Sequence, residues 1–293
     1  MELQFEPIHL DEQPAYLRHL SKCPQISSDY SFINIWGWAE EYGLRWAFKD
    51  RMVWIKQTKP EQIYWAPVGS WDEVDWQVCL DTIFNTSTLF TRVPEKLVQR
   101  WETGLKNRLT IHEERGSWDY LYAVPELVEL KGNRFHKKKN LLNQFVKTYD
   151  YQYLAMEPEQ VESALAMQTD WCTWRDCESS ETLNAENRVI TRILNQWSHL
   201  TGLMGGGLFV DEVMVAYTVA ERLTDDTLLI HFEKGATDYK GVYQSINQMF
   251  LANLKHEFKF VNREQDLDDE GLRKAKLSYN PVDYLRKYRV RIS

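Results

Sequence analysis

The sequence predicts an α+β fold of the mixed α/β class, in which two tandem domains each form a mostly antiparallel sheet flanked by helices. The chain of 293 residues is long enough for two domains. Hydrophobic residues make up 43% of it, so each half can bury a core. The same order of predicted elements also occurs twice along the chain. We therefore expect domains at residues 1–130 and 131–293, the second of which begins with a basic linker.

In the first half, alternation of apolar and polar residues predicts three antiparallel strands, at Leu44–Phe48, Met52–Lys56 and Gln62–Ala66. Two helices are predicted before these strands, at about Glu12–Leu20 and Phe32–Tyr42. A helix with an apolar stripe follows at Trp71–Phe84, and Ser70 or Asp72 is expected to cap its start. One further strand is expected after that helix.

The second half repeats this order. Its three strands are predicted at Gly207–Val210, Val213–Glu221 and Thr227–Glu233. Helices are expected before them, at about Glu157–Asp170 and Thr182–Trp197. A helix at Val242–Glu257 and a strand at Phe258–Asn262 follow. The halves share an order of elements and no obvious residue-level identity.

This order of elements resembles the core of the GCN5-related N-acetyltransferase (GNAT) fold, here present twice. Five segments also resemble a bacterial family of unknown function that is grouped with the C-terminal domain of phosphatidylglycerol lysyltransferase: Ser28–Trp36, Arg134–Phe145, His231–Lys234, Val261–Leu267 and Gly271–Pro281. The resemblance implies a tandem GNAT-like fold. It also implies transfer of an acyl or aminoacyl group to an amine or a hydroxyl.

Charge is unevenly distributed along the chain, whose net charge is −8. Residues Lys131–Tyr149 contain six lysines or arginines and no acid, and Gly271–Ser293 contain seven with one acid. Two basic segments on an acidic body indicate a local anion site, and we expect Lys131–Lys147 and Arg273–Lys276 to lie beside one groove. The alternative is a solvated linker and a solvated C-terminal tail. The acidic total argues against a protein that coats DNA.

An acyl-CoA donor is one possibility that the GNAT resemblance implies. Members of that fold hold the pyrophosphate at a glycine-rich turn before the main helix. Gly241 matches the first glycine of that turn, but Asp238 and Tyr243 stand where a basic or amide residue and a small residue are expected. An acid repels phosphate and a tyrosine blocks its close approach, so these two residues argue against ordinary CoA binding.

An aminoacyl-tRNA donor is the other possibility, and the lysyltransferase resemblance suggests it. The basic segments suit a large polyanion. Contacts to the donor are predicted for Lys137, Lys138 and Lys139, together with Asn140 and Asn143. Donor, acceptor and oligomeric state stay open at this point.

A candidate catalytic cluster is predicted in the second half, where two neighbouring strands end. Glu233 ends the central strand and is our expected general base, and Tyr279 is the expected proton donor to the leaving group. The remaining members are charged and are expected to line the cleft mouth: Arg263, Glu264, Asp266, Arg273 and Lys276. The alternative is a structural ion-pair network that fixes the C-terminal segment.

Other functions find less support. The four cysteines, at positions 23, 79, 172 and 177, are expected to be reduced thiols, and no metal site is expected from the histidine spacing. The absence of an apolar run of about 18 residues and of a leader pattern predicts a cytoplasmic protein. A non-catalytic module that binds a ligand or a partner on a degenerate GNAT-like fold stays as the alternative to an enzyme.

Overall fold

The computed structural model describes residues 3–49, 51–72, 74–84 and 87–293. The chain divides into two compact units. Unit 1 comprises the residues up to Asp119 together with Gln265–Arg273 and Tyr284–Ser293. Unit 2 comprises Tyr120–Glu264 and Lys274–Asp283. Within the described ranges, no helix combines the length and the apolar character needed to cross a membrane.

Helices and strands occur in both units. The helices are α1 (Gln13–Leu20), α2 (Phe32–Gly37), α3 (Ala39–Tyr42), α4 (Trp76–Ile83), α5 (Glu95–Leu105), α6 (Val124–Glu129), α7 (His136–Thr148), α8 (Pro158–Trp174), α9 (Glu181–Asn195), α10 (Val242–Ala252) and α11 (Glu270–Leu277). The strands are β1 (Glu6–Pro7), β2 (Arg45–Lys49), β3 (Met52–Gln57), β4 (Ile63–Gly69), β5 (Thr88–Pro94), β6 (Leu109–Glu113), β7 (Asp119–Ala123), β8 (Tyr151–Ala155), β9 (Leu203–Val210), β10 (Val213–Arg222), β11 (Thr227–Gly235), β12 (Phe260–Asn262), β13 (Asp283–Leu285) and β14 (Lys287–Ile292).

The sheet of unit 1 has the strand order β1-β2-β3-β4-β5-β14-β6. Strands β2, β3 and β4 are antiparallel neighbours, whereas β4 and β5 are parallel. The C-terminal strand β14 lies between β5 and β6 and is antiparallel to both. Large aromatic side chains such as Trp46, Trp54 and Trp101 are buried in this unit, so it has a core of its own.

The sheet of unit 2 has the order β13-β7-β12-β11-β10-β9-β8. Strands β9, β10 and β11 are antiparallel neighbours, and β11 pairs with β12 in parallel. Strand β7, which precedes the rest of this sheet by many residues, pairs with β12 in antiparallel register. The two units therefore repeat one topology, three antiparallel strands, a helix and a parallel strand, which confirms the predicted mixed α+β fold.

Each sheet contains a strand from the other half of the sequence. Strand β14 completes the sheet of unit 1, and β7 completes that of unit 2. The units consequently differ from the predicted ranges 1–130 and 131–293, because residues 120–130 lie in unit 2 and the final residues lie in unit 1. The division into domains at residues 1–130 and 131–293 stays a prediction.

Several local expectations need correction. The predicted helix at Trp71–Phe84 begins at Trp76, with Asp75 rather than Ser70 or Asp72 as its cap, because the Asp75 carboxylate accepts from the Val78 N–H at 3.1 Å. Glu73 of that predicted helix lies outside the described residues.

The basic segment after residue 131 is a helix rather than a solvated linker. Phe145 of α7 is fully buried and packs in a cluster with Leu208 of β9, Val215 of β10 and Ile246 of α10. An apolar edge of this kind docks a helix even when its other faces are strongly charged.

The cysteine expectation is wrong for one pair. Cys172 and Cys177 form a disulfide, with their Cα atoms 5.1 Å apart. Helix α8 ends at Trp174, and the left-handed backbone of Asp176 turns the chain so that Cys177 returns to Cys172. Cys23 and Cys79 are free, and burial raises the pKa of the Cys23 thiol to about 12.

A buried ion-pair network holds β14 in unit 1. The Lys287 ammonium is 0% exposed and lies 2.7 Å from the Asp119 carboxylate, and it also bonds to Asp29. Asp119 in turn accepts from the Ser28 N–H and hydroxyl, at 2.8 and 2.7 Å. Burial opposes ionisation of Asp29, but Lys287 and Arg92 outweigh it and lower the pKa of that carboxyl. The C-terminal segment is thus a buried part of the fold rather than a solvated tail.

Replacing Lys287 by alanine should destabilise the protein by about 3–5 kcal/mol, because Asp119 and Asp29 lose the buried cation that they share. Urea unfolding monitored by tryptophan fluorescence measures this change. Arg291→Ala is the matched control, since Arg291 is an exposed cation on the same strand, and its effect should stay within about 0.5 kcal/mol. Equal effects of the two variants would contradict a structural role for the network.

Candidate functional site

The candidate site begins where β11 and β12 part. Their parallel pairing runs from Thr227 opposite Phe260 to Leu229 opposite Asn262. Beyond this point β12 ends, whereas β11 continues to Gly235 and keeps its pairing with β10. The end of a parallel pair in a GNAT-like sheet is the place where the sequence led us to expect a cleft.

An ion pair lies at this opening. The Arg263 guanidinium, on the first residue beyond β12, donates from Nη2 to Glu233 Oε1 at 2.8 Å. The other carboxylate oxygen, Oε2, accepts from Asn247 Nδ2 of α10 at 3.0 Å. The side chains of Glu233 and Arg263 are 9% and 15% exposed, so the pair is largely desolvated. The expected proximity of Glu233 and Arg263 is confirmed, and their side chains span the gap between the strands.

Tyr279 closes the cluster on one side. Its ring centroid lies 4.9 Å from the Arg263 guanidinium carbon and 4.0 Å from the Lys138 Nζ atom. Its hydroxyl oxygen accepts from Gln244 Nε2 of α10 at 3.4 Å. Two cations therefore share one aromatic ring, and one of them, Arg263, is also paired with Glu233.

The environment shifts the titration of these groups. Burial raises the pKa of the Tyr279 hydroxyl above its ordinary value; Arg263 opposes this rise and Glu233 supports it. Burial and the charge of Arg263 lower the pKa of the Lys138 ammonium, and Glu233 opposes that change. Tyr279 therefore keeps its proton at neutral pH.

Lys276 supports this arrangement from α11. Its ammonium donates to the Arg263 carbonyl oxygen. The backbone carbonyl of Lys276 accepts from the Tyr122 hydroxyl at 2.9 Å. Lys276 thus bonds to the backbone of Arg263, and this bond joins α11 to the end of β12.

A buried histidine lies beside the opening. His231 of β11 is flanked by two carboxylates: Nε2 lies 3.3 Å from Glu221 Oε1, and Nδ1 lies 3.4 Å from Glu264 Oε1. Burial by itself lowers the pKa of His231, but the two glutamates outweigh it and raise the pKa to about 9. The ring is therefore positively charged at neutral pH.

The other predicted residues lie elsewhere. Lys137, Lys139, Asn140 and Asn143 are exposed on α7, whereas Lys138 is half-buried beside Tyr279.

In unit 1, Asp266 is fully buried and accepts from Arg273 Nε at 2.8 Å and Arg115 Nη1 at 3.2 Å. Arg273 also donates to Asp268 at 2.7 Å. Lys138 and Lys276 therefore surround one cluster, and Asp266 and Arg273 belong to a separate ion-pair network. A shared groove for the two basic segments stays a prediction.

Gly241 is required by helix packing. Its φ is +89°, and a Cβ added there would lie 2.1 Å from the Leu141 carbonyl oxygen and 3.2 Å from Phe145 Cβ, both on α7. The Val242 N–H that follows it donates to the Tyr239 carbonyl at 3.0 Å. The glycine thus lets α10 approach α7, which accounts for it without a bound phosphate.

Unit 1 contains a counterpart of this site that the sequence comparison of the halves missed. Its parallel pair β4–β5 ends at Trp65 opposite Thr91, and Arg92 is the next residue, as Arg263 is in unit 2. Arg92 bonds to Asp29 and stacks over the Trp65 ring at 4.3 Å. The equivalence of Arg92 and Arg263 follows from the register of the two parallel strand pairs. That register cannot be seen in the sequence alone.

Asn247 and Gln244 are site residues that sequence reasoning also missed. They lie three positions apart on α10, so both project from one face of that helix, towards Glu233 and Tyr279. That spacing on the helix after the central strand is a signal that the sequence does contain.

The two units repeat one topology, and this repeat makes the chain a tandem GNAT-like protein. Its fold is transferase-like. The family model for the phosphatidylglycerol lysyltransferase C-terminal domain matches residues 21–291. The chain belongs to this family, which confirms the resemblance found in its five segments.

Similar proteins extend this finding. A crystal structure of a conserved protein of unknown function from Bacteroides thetaiotaomicron VPI-5482 is 30% identical, with a TM-score of 0.90 over 99% of this chain and 100% of that one. The uncharacterized protein MYCGA3080 of Mycoplasmoides gallisepticum is 26% identical over 251 residues, or 83% of this chain and 76% of that protein. The structure of L-PGS from Bacillus licheniformis has a TM-score of 0.57 at 10% identity, covering 87% of this chain and 90% of that one, so this likeness concerns the fold alone.

Gly241→Ala tests the packing role of that glycine. The variant should be destabilised by about 2–4 kcal/mol, the sum of a left-handed backbone and a clash with α7. Gly202→Ala is the control, because Gly202 also has a positive φ but has no atom within 4 Å of the added Cβ. It should lose about 1–2 kcal/mol. If both variants lose the same unfolding free energy in urea, the clash with α7 has no measurable cost. A ligand-binding role for Gly241 would then be the better explanation.

The charge of His231 should make stability depend on pH. Its folded pKa of about 9 exceeds the ordinary 6.5, so the stabilising contribution is complete below 6.5, declines as pH rises, and is lost above about 9. We expect His231→Asn to flatten the fall in unfolding free energy across this range. Denaturant titrations at several pH values measure it, with His256→Asn as the control for an exposed histidine. An unchanged slope in His231→Asn would refute the assignment.

Proposed function

We propose that unit 2 catalyses transfer of an aminoacyl group from aminoacyl-tRNA to an amine or hydroxyl acceptor. The cluster of Arg263, Lys138 and Tyr279 at the end of the β11–β12 pair carries this proposal. It combines two cations with a buried hydroxyl that keeps its proton. Cations stabilise a developing oxyanion and a protonated hydroxyl serves a leaving group, so the cluster has the parts that acyl transfer needs.

The proposed step is attack of the acceptor nitrogen or oxygen on the ester carbonyl of the donor. A bond forms to the carbonyl carbon, negative charge moves to the carbonyl oxygen, and the ester C–O bond then breaks. In this proposal Arg263 and Lys138 stabilise the oxyanion, and Tyr279 protonates the departing ribose oxygen. The proton released by the acceptor replaces the one that Tyr279 gave.

Glu233 has a different role in this proposal from the one the sequence indicated. Both of its carboxylate oxygens already accept hydrogen bonds, one from Arg263 and one from Asn247. These bonds orient the carboxylate towards Arg263 and Asn247 rather than towards an acceptor. Glu233 therefore holds Arg263 in position, and the earlier expectation that it acts as general base is what Glu233→Gln tests.

The choice of donor rests on two structural observations and on the family. The turn that would hold a CoA pyrophosphate is packed against α7 at Gly241, and the Val242 N–H is engaged within the turn. The first turn of α7 exposes Lys137 and Lys139, one on each side of the half-buried Lys138, and this local positive charge suits a polyanion. The family is described as a lysyltransferase, and lysyl transfer requires an activated lysyl ester such as a charged tRNA. Acyl-CoA is the second candidate donor.

A non-catalytic module is the second candidate function. One observation favours it: the Arg263–Glu233 pair spans the gap between the strands in this structure. A protein whose gap stays closed would hold a ligand or a partner without transferring a group.

Transfer of a radiolabelled aminoacyl group from charged tRNA to a panel of amines and to phosphatidylglycerol vesicles tests the proposal. Tyr279→Phe should lower kcat by about 10²-fold because the proton donor is lost. Lys138→Met should raise KM for the charged tRNA by about tenfold because a phosphate or oxyanion contact is lost. Lys255→Met, which changes an exposed lysine of unit 2 outside both basic segments, should behave as wild type.

Thermal-shift measurements separate the alternatives. Charged tRNA should stabilise the protein, and acetyl-CoA should not. Stabilisation by acetyl-CoA alone would overturn the choice of donor. An absence of transfer, with Tyr279→Phe affecting melting temperature only, would favour the non-catalytic module.

A further inference from the structure

The turn that follows β12 decides where the Arg263 side chain points. Glu264 has a left-handed backbone with a φ of 56°, which is strained for a residue that carries a Cβ. Its N–H donates to the Asn262 side-chain oxygen at 2.8 Å, and its carbonyl accepts from the Tyr120 N–H at 3.2 Å. The Arg263 N–H donates to the Tyr120 carbonyl at 3.0 Å. Such a strained turn persists when surrounding contacts hold it.

The Glu264 side chain is a further contact of that turn, and it leads to His231. The imidazole Nδ1 lies 3.4 Å from Glu264 Oε1, and Nε2 on the other edge lies 3.3 Å from Glu221 Oε1 of β10. The His231 side chain is 0% exposed. The His231 ring therefore connects β10 to the turn after β12. His231 lies on β11, the strand that also carries Glu233.

We propose that His231 is a positioning residue, which through Glu264 fixes the turn after β12 and so aims Arg263 at Glu233 and Tyr279. The importance of this aim for catalysis rests on the proposed function, but the effect on the turn does not. His231 does not contact the proposed reacting atoms; it acts through Glu264 and the backbone.

Charge makes this connection sensitive to pH. Two carboxylates face the ring, Glu221 from β10 and Glu264 from beyond β12, and they favour the imidazolium, in which both nitrogens carry protons. When the ring loses a proton, the two carboxylates that face it are no longer neutralised by a positive charge. The pKa of about 9 places this loss on the alkaline side of neutrality.

Hydrogen exchange of the turn, measured by NMR on the whole protein, tests the proposal without any ligand. In His231→Asn the protection factor of the Glu264 amide should fall by about tenfold, while amides paired between β9 and β10 change by less than about twofold. Glu264→Gln keeps an acceptor oxygen but removes the negative charge that faces the ring, at a partly exposed residue, and should lower the same protection factor. His256→Asn is the control, since His256 is exposed and bonds to the Asp225 carbonyl.

The wild-type protein provides a second measurement. The protection factor of the Glu264 amide should fall as pH rises through about 9, and Glu264→Gln should remove this step. If transfer is observed, the alkaline limb of kcat/KM should lie at the same pH and should disappear in His231→Asn, with a greater effect on kcat than on KM.

The outcomes are separable. Unchanged protection at Glu264 in both variants, or a uniform loss across the sheet, would overturn the positioning role even if transfer occurs. Local loss of protection without any transfer would support the role of His231 at the turn while the proposed function fails. A failure of His231→Asn to fold leaves Glu264→Gln and the wild-type pH series to decide.

Discussion

The buried ammonium of Lys287 is the constraint on which the sheet of unit 1 depends. It lies between the carboxylates of Asp29 and Asp119, all of them shielded from water, and it belongs to a strand at the end of the chain. Because β14 sits between β5 and β6, an uncompensated charge at its first residue would disrupt three strands at once. The final residues of the chain are therefore part of the unit formed by its beginning.

The two units place an arginine at the same point of the same topology and use it differently. Arg92 follows β5 and is enclosed by Asp29 and the Trp65 ring, in a network closed by Lys287. Arg263 follows β12 and meets Glu233, Tyr279 and the half-buried Lys138. The cluster around Arg92 joins distant segments of unit 1. The cluster around Arg263 instead places two cations, Arg263 and Lys138, beside the buried hydroxyl of Tyr279. This contrast is the reason that we place the proposed chemistry in unit 2.

The sequence anticipated part of this site. Glu233 and Arg263 were expected to meet because each lies near the end of one of two neighbouring strands. Asp266 and Arg273 were expected in the same cluster and instead bond to each other in unit 1, because the chain crosses between units after Glu264. Proximity along a basic or acidic run does not reveal such a crossing. The exposed lysines of α7 stay a prediction as donor contacts.

Local patterns by themselves determined the mixed α+β class, the order of the antiparallel strands in each half and the family, because periodicity and short motifs depend on neighbours in the chain. Tertiary structure alone decided that β14 joins the sheet of unit 1 and β7 joins the sheet of unit 2. It also decided that Cys172 bonds to Cys177 and that His231 lies between two glutamates. These features join residues that are distant in sequence or turned by a single left-handed residue. The burial and charge pairing that stabilise the strands and His231 exist only after the chain has folded, and the disulfide needs a turn that brings its two sulfurs together.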